Sequence, residues 1–307
     1  MRLAIVFQRV DPTKGGAETY VADLCRFLIH SGHQVDLIAA EVRAEALPEG
    51  VVWHKAPVAG LTRLGRVWSF ARRAEQILRD LEGAIDCSIG LINTWHQDLL
   101  IPQGGVHPAS RDHNAMRFPS GPPRWAYLAG KRLNPRSWIY SWIERKQYDL
   151  ARGTRYVAVS HLVREHLRIY FGVPGDRVTV IPNAIDAGRL EVADRSRARA
   201  AFREQQGFAP DDVVGLFVGH NFKLKGLSPL LRALAARAAT SPAGRRPIHL
   251  AVCGGGRLPP FRREVQRLGL DRFVRLIGYY REIPWAFHGS DFFVSPTYYD
   301  PCSLVVF

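Results

Sequence analysis

Apolar residues recur along this chain in two rhythms, short unbroken runs and stretches at helical spacing, and the two alternate. RLAIVFQRV, at the start, is an apolar run of the kind carried by a parallel strand buried on both faces. A turn with two glycines follows over residues 11–16. AETYVADLCRFLIHSGH is then an amphipathic helix closed near Gly32, and QVDLIAAE is the next strand. Strand, glycine turn, helix and strand make a βαβ unit, the basis of a doubly wound α/β sheet. VVWHKAPV predicts a third strand, residues 64–82 a basic helix, and AIDCSIGLIN and DLLIPQ two further buried strands. RYVAVSHLVREHLRIYFG predicts a strand, a turn at Ser160 and a helix, and VTVIPNAID one more strand.

The second half repeats the rhythm. VVGLFVGH is a strand, and a loop with Lys223 and Lys225 leads through Gly226 into LSPLLRALAARAAT, which has helical spacing. Strand, glycine-bearing loop and helix form a ready anion site: Gly219 lets backbone approach a ligand and the helix N-terminus aims unpaired N–H groups at negative charge. The two lysines add cationic charge at the same point. An ordinary βα turn with solvated lysines has the same appearance. PIHLAVCGGG, FVRLIGYYREIP and DFFVSPT read as further strands, with a short helix over WAFHGS. The three glycines after Cys253 lack the spacing of a dinucleotide fingerprint, because Pro259 stands where the third glycine belongs. That disfavours a nicotinamide oxidoreductase.

A chain of 307 residues with 47% hydrophobic positions suits two globular domains, or one large one, with ample core. Cys25, Cys87, Cys253 and Cys302 are far apart and form no C-x-x-C pair, which argues against a zinc site or disulfide framework and for a reducing compartment. No apolar run approaches the roughly 20 residues that span a bilayer, and Met1 leads straight into a strand. The formal charge of +14 calls for an anionic partner: nucleic acid, acidic lipid or phosphorylated substrate. Much of it falls over residues 111–155, where ten Lys or Arg alternate with Trp125, Trp138, Trp142, Tyr127, Tyr140 and Tyr148 against three acids. Basic groups among interfacial aromatics suit an anionic membrane surface. The same mixture suits RNA, or helices whose aromatics pack inward.

The spacing Gly219-His220-x4-Lys225-Gly226 resembles the phosphate loop of the family-4 retaining glycosyltransferases, in which an Arg and a Lys hold the diphosphate of a sugar nucleotide; His220 stands where that family usually has Arg. Gly15-Gly16 with Glu18 resembles the family's opening GGAE-type loop, which implies Gly15 and Gly16 as donor-binding residues, and VIPNAID resembles its interdomain crossing, with Ala184 for the usual Gly. YYDPCSLVVF resembles its donor-binding motif. The resemblance covers nearly the whole chain and is nearest to the branch that adds glucose to heptose in the lipopolysaccharide core, whose membrane-facing helical excursion residues 111–155 resemble loosely.

That resemblance implies an α/β fold of two Rossmann-like domains facing a cleft, the GT-B arrangement. An acceptor domain would occupy residues 1–181 and a nucleotide-sugar domain residues 182–307. It implies Lys225 as the main contact to the diphosphate, with Lys223, His220 and Gly219 beside it, Asp300 holding donor-sugar hydroxyls, and a helix N-terminus at Ser303, Leu304 and Val305 giving backbone N–H groups to the diphosphate. His107 is the candidate group at the reacting sugar, with His96 in reserve; either could equally be a surface histidine near a strand end. A second acid of the motif, which grips the ribose, would fall immediately after Phe307, so the second domain is expected to be truncated and the chain a weakly active fragment with an exposed apolar patch over residues 304–307. The implied reaction is glycosyl transfer with retention from a nucleotide sugar, of which a UDP-sugar is the first expectation, to a lipid-linked or glycan acceptor. The implied setting is the inner face of the plasma membrane, in lipopolysaccharide or cell-surface polysaccharide synthesis. No cofactor, no metal and no nucleic-acid partner is expected, since no Asp-x-Asp motif is present and a cationic loop can neutralise the diphosphate. The rival outside enzymology is a non-catalytic basic protein that binds membrane or nucleic acid.

Overall fold

A computed structural model describes residues 1–306 except 14, 44, 46, 186, 187, 189, 190 and 241–245, and leaves out the side chains of residues 63 and 136. Asp186 of the expected crossing segment and Phe307 of the terminal motif lie outside the described residues. The chain forms two compact units, Met1–Asn183 with Pro301–Ser303, and Ala184–Asp300 with Leu304–Phe307.

The first unit runs β1 (Arg2–Val6), β2 (Arg9–Val10), α1 (Gly16–His30), β3 (Gln34–Ala39), β4 (Glu41–Val42), β5 (Val51–Lys55), α2 (Arg63–Asp80), β6 (Cys87–Gly90), β7 (Leu99–Leu100), α3 (His107–Ala115), α4 (Pro122–Leu133), α5 (Pro135–Gln147), β8 (Arg155–Ala158), α6 (His161–Phe171) and β9 (Val178–Val180). Seven strands form one sheet in the order β5-β3-β1-β6-β7-β8-β9, every pairing parallel. The strand order reverses between β1 and β6, a topological switch point. Residues 3–6 and 35–39 are buried without alternation, as strands covered on both faces must be. On one face Phe70, Ala74 and Ile77 of α2 pack onto Ala4, Val6 and Ile38. The run DLLIPQ pairs only over Leu99–Leu100, because Pro102 has no N–H to continue a ladder.

The second unit runs α7 (Arg195–Gln206), β10 (Val213–Val218), α8 (Leu227–Thr240), β11 (Ile248–Cys253), α9 (Pro259–Arg267), β12 (Val274–Gly278), α10 (Ile283–Gly289) and β13 (Phe292–Phe293). Its parallel sheet has the order β12-β11-β10-β13, so the same kind of switch point falls between β10 and β13. Leu227, Leu231 and Leu234 of α8 close one face with Phe217 and Val252; Phe202 of α7 and Ala286 of α10 close the other with Leu216 and Ala251. The fold is α/β, two Rossmann-like units of the GT-B class.

One predicted element is corrected. Residues 304–306 form a turn, not the start of a helix. A first helical turn fixes three residues for one hydrogen bond, which is unfavourable until further turns follow. Among the described residues no helix is long and apolar enough to cross a membrane.

Candidate functional site

In the second unit two of the predicted site residues meet. Lys225, in the loop from β10 to α8, forms an ion pair with Asp300, in the segment after β13, and both side chains are mostly buried. The loop and the segment are stitched at several further points. Tyr298 N–H donates to the Leu224 carbonyl at 2.9 Å. The Thr297 hydroxyl donates to the same Leu224 carbonyl at 3.4 Å. Gly226, at φ +80°, lies so close to the Pro296 carbonyl oxygen that a Cβ there would collide with it. The loop holds its own shape through Asn221, whose side chain accepts the Leu224 N–H at 3.2 Å and whose carbonyl accepts the Lys225 N–H at 2.8 Å. These groups sit at the carboxyl ends of β10 and β13, where ligands bind in open α/β sheets. Gly254, after β11, passes against the Gly219 carbonyl with no room for a Cβ, and Gly255 leaves only 2.7 Å between a Cβ and the His220 ring. The glycine triplet therefore shapes the wall of the loop. His220 and Lys223 are exposed on it, Gly219 is buried, and the side chain of Lys225 turns inward to Asp300.

In the first unit the carboxyl ends of β1, β3, β5 and β6 open onto a pocket of about 520 Å³ lined by residues that include Gln8, Arg9, Glu18, Glu41, Asn93 and Tyr140. Gly15 caps α1 and Gly16 is its first residue; the Gly15 carbonyl accepts both the N–H and the hydroxyl of Thr19 at 3.1 Å. A Cβ on Gly15 would stand 2.9 Å from a Glu18 carboxylate oxygen, so the glycine keeps room for the acid that reaches this pocket. Asn93, after β6, has φ 57°, the one non-glycine positive φ among the described residues. Asn tolerates that conformation better than most residues.

His107 is the first residue of α3, behind the carboxyl end of β7. Its N–H donates to Glu144 Oε1 at 2.6 Å, and its ring stacks on Tyr140 with centroids 5.6 Å apart and planes 17° from parallel. Tyr140 and Glu144 are one turn apart on α5, so that helix fixes His107 by backbone and by ring. Burial, then the neighbouring Arg111 and Lys131, hold the His107 imidazole below its ordinary pKa and hence neutral. Glu144 is buried, and its carboxyl is pushed up to about 8 by that burial. His96 lies elsewhere, in a pocket with Asp86, Ser88 and Asp98 at the amino ends of β6 and β7. Burial first, and Arg79 second, depress its pKa.

Ser303, Leu304 and Val305 are half-buried. Ser303 belongs to the first unit, where the Asn183 amide donates to the Cys302 carbonyl at 2.9 Å, whereas Leu304 and Val305 belong to the second. Residue patterns alone did not single out Glu144, Asn93 or Tyr140 as parts of a site. An acid among ten cations in residues 111–155 was the available signal for Glu144.

The family model described as Glycosyltransferase Family 4 matches residues 14–189, and that described as Glycosyl transferases group 1 matches residues 212–307. A D-inositol 3-phosphate glycosyltransferase of Catenulispora acidiphila is 35% identical over 150 residues, 46% of this chain and 34% of that protein. A probable transglycosylase of Burkholderia thailandensis is 36% identical over 163 residues, 53% of this chain and 39% of that one. The chain thus spans about a third of the length of these curated relatives. Among solved structures, WaaG, a glycosyltransferase involved in lipopolysaccharide biosynthesis, superposes with TM-score 0.79 at 17% identity, over 99% of this chain and 77% of that one. Anabaena HepE in complex with UDP-glucose superposes with TM-score 0.64 at 15% identity, over 97% of this chain and 74% of that one.

Proposed function

The chain belongs to glycosyltransferase family 4, and from that premise we propose that it transfers a sugar, with retention at the anomeric carbon, from a UDP-sugar to a hydroxyl of a lipid-linked glycan. The observation that carries this reading is the meeting of Lys225 and Asp300 at the switch point of the second unit. As the anomeric bond loosens, negative charge grows on the leaving diphosphate and positive charge on the sugar ring. A lysine aimed at the diphosphate stabilises that change more in the transition state than in the ground state. Lys225 does this, with Lys223 and His220 on the exposed side of the same loop, Gly219 giving the backbone room to approach, and backbone N–H groups at Ser303, Leu304 and Val305 beside the donor. Asp300 holds donor-sugar hydroxyls, and its pairing with Lys225 keeps both groups oriented. No cofactor or divalent ion is invoked, because the cations of the loop carry the charge of the diphosphate.

In the first unit the pocket beside Glu18 and Asn93 takes the acceptor, and Gly15 and Gly16 serve the donor. His107, kept neutral, is that unit's contribution to the reacting sugar. The acceptor class is a lipid-linked glycan of lipopolysaccharide or another cell-surface polysaccharide. The enzyme works as a peripheral protein on the inner face of the plasma membrane, held there by the cations and exposed tryptophans of α4 and α5. Ligand-observed NMR against a panel of nucleotide sugars, NAD and RNA oligomers tests the reading. Line broadening is expected for a UDP-sugar and not for NAD or RNA. A response to RNA alone would replace it with the non-catalytic binding protein.

A further inference from the structure

A cavity of the first unit larger than the one beside Glu18 is a groove of about 1040 Å³ between the start of α2 and the helices α3, α4 and α5. Its floor is apolar: Leu64 and Trp68 from α2, Trp138, Ile139 and Trp142 from α5. Among its described lining residues the cations are Arg111, Lys131, Arg132 and Arg145, and none is an Asp or Glu. Arg111 is partly neutralised by Asp112 at 2.8 Å, which leaves Lys131, Arg132 and Arg145 as the principal positive charge. The Trp138 indole N–H is already bonded to the Arg132 carbonyl, so that ring offers the groove carbon and no unsatisfied donor. The first turn of α5, with Pro135 and Ser137, reaches the groove at the same end as Lys131 and Arg132, and the positive end of that helix adds to the potential there. The three tryptophans of the groove are substantially exposed, Trp68 at 38%, Trp138 at 60% and Trp142 at 41%. An apolar trough with cations and no acids is not what a water-filled surface groove needs.

We propose that this groove seats one alkyl chain of an anionic membrane lipid, with the lipid's phosphate held by Lys131 and Arg132 beside the first turn of α5. Charge complementarity selects the headgroup, since a groove with four cations and no carboxylate favours an anion over a zwitterion or a sugar. The apolar floor selects a chain over a free anion, because each methylene removed from water adds to binding. The groove is continuous with a surface already suited to a bilayer: α4, which supplies Lys131 and Arg132, also exposes Trp125 at 68% and Leu133 at 74%. This inference rests on the membrane placement proposed above and sharpens it from a charged surface to a defined lipid site.

Dodecyl phosphate, titrated below its micelle concentration and followed by calorimetry and tryptophan fluorescence, tests it on the intact chain. Dodecyl phosphate is expected to bind at one site per chain. Octyl phosphate should bind weaker by on the order of a hundredfold, at roughly fourfold per buried methylene. Dodecyl maltoside, with the same chain and no charge, should bind at least about tenfold weaker. The double variant Lys131→Gln, Arg132→Gln, on helix positions outside the core, should weaken dodecyl phosphate about tenfold or more and leave the maltoside unchanged. Equal binding of dodecyl phosphate and inorganic phosphate would overturn the proposal in favour of a bare anion site. Equal binding of phosphate and maltoside headgroups would reduce it to an apolar patch. Absence of binding, or of any chain-length dependence, would also overturn it. Co-sedimentation with anionic liposomes separates the two levels: retained liposome binding without dodecyl phosphate binding removes the groove and keeps the membrane placement, and loss of both removes both.

Discussion

Glu144 makes the sharpest solution prediction. It is 9% exposed, its carboxylate accepts the His107 N–H at the start of α3, and burial lifts its pKa from 4.5 to about 8. The folded state therefore holds a proton that the unfolded chain has released. A carboxyl raised in this way destabilises the folded state as pH climbs from the unfolded toward the folded pKa. The stability it permits is full below about pH 4.5 and lost as pH rises through about 8. Every pH unit that separates the folded from the unfolded pKa is worth about 1.4 kcal/mol. The full separation therefore amounts to about 5 kcal/mol, and the part falling between about pH 6 and pH 9 to about 2–3 kcal/mol. Glu144→Gln keeps an acceptor for the His107 N–H and cannot ionise. The assay is urea denaturation at a series of pH values, followed by tryptophan fluorescence, which reports the first unit because six of the seven tryptophans lie there. Wild type should lose about 2–3 kcal/mol over that window, and the variant should be more nearly flat, by the same amount. Parallel curves for the two proteins would refute the buried, protonated Glu144.

Three other outcomes are expected. Lys225→Ala should weaken nucleoside-diphosphate binding by roughly 1.5–3 kcal/mol in calorimetry, the scale of a charge-assisted hydrogen bond, and Lys223→Ala by less; equal and negligible losses would remove the phosphate-loop assignment. Arg203 is 3% exposed and donates to the carbonyls of Gly289, Ala209, Pro210 and Asp212 and to Asp291 at 2.9–3.0 Å. Asp291 is partly exposed and keeps Arg199, so the cost falls on the carbonyls left without a donor, about 1–3 kcal/mol; Arg203→Met should therefore lower the denaturation midpoint followed by circular dichroism, and an unchanged midpoint would show that these bonds contribute nothing net. Liposomes carrying anionic lipid should bind the protein in a salt-sensitive way and neutral liposomes much less; equal sedimentation with both would count against docking by charge.

The parallel sheets were legible because a strand buried on both faces carries an unbroken apolar run, as residues 3–7 and 213–218 do, whatever surrounds it. The helix α7 was not. Its sequence RSRARAAFREQQ is mostly polar: Asp194 caps the Arg197 N–H at 2.9 Å, but Phe202 is fully buried and Arg203 reaches, besides three carbonyls in the turn just after the helix, the Gly289 carbonyl and Asp291 more than 80 residues away. No local pattern announces those two distant partners. The same limit explains the site. Glycine and lysine at fixed spacing marked the loop over residues 219–226, because a phosphate loop is a local motif. Glu144 lies 37 residues from the backbone group it caps, and its only sequence signal was an acid where cations dominate.

Residues 111–155 show how composition and structure divide the work of specification. Their tryptophans looked alike in the sequence, yet they serve different ends. Trp142 packs edge-on against the buried Trp95 with centroids 5.6 Å apart and carries Lys146 over its face at 4.5 Å, while Trp125 stands exposed on α4. Position along α5 makes the distinction, since Tyr140 and Glu144 share the side that meets His107 and Trp138, Trp142 and Arg145 line the groove. A helix that packs inward on one side and lines an apolar trough on the other must be aromatic nearly all round, and so it shows no strong amphipathic stripe. Two of the three readings left open by the sequence, aromatics packed inward and aromatics offered to a membrane, are therefore compatible, since the proposed membrane contact would use a different side of the same helix.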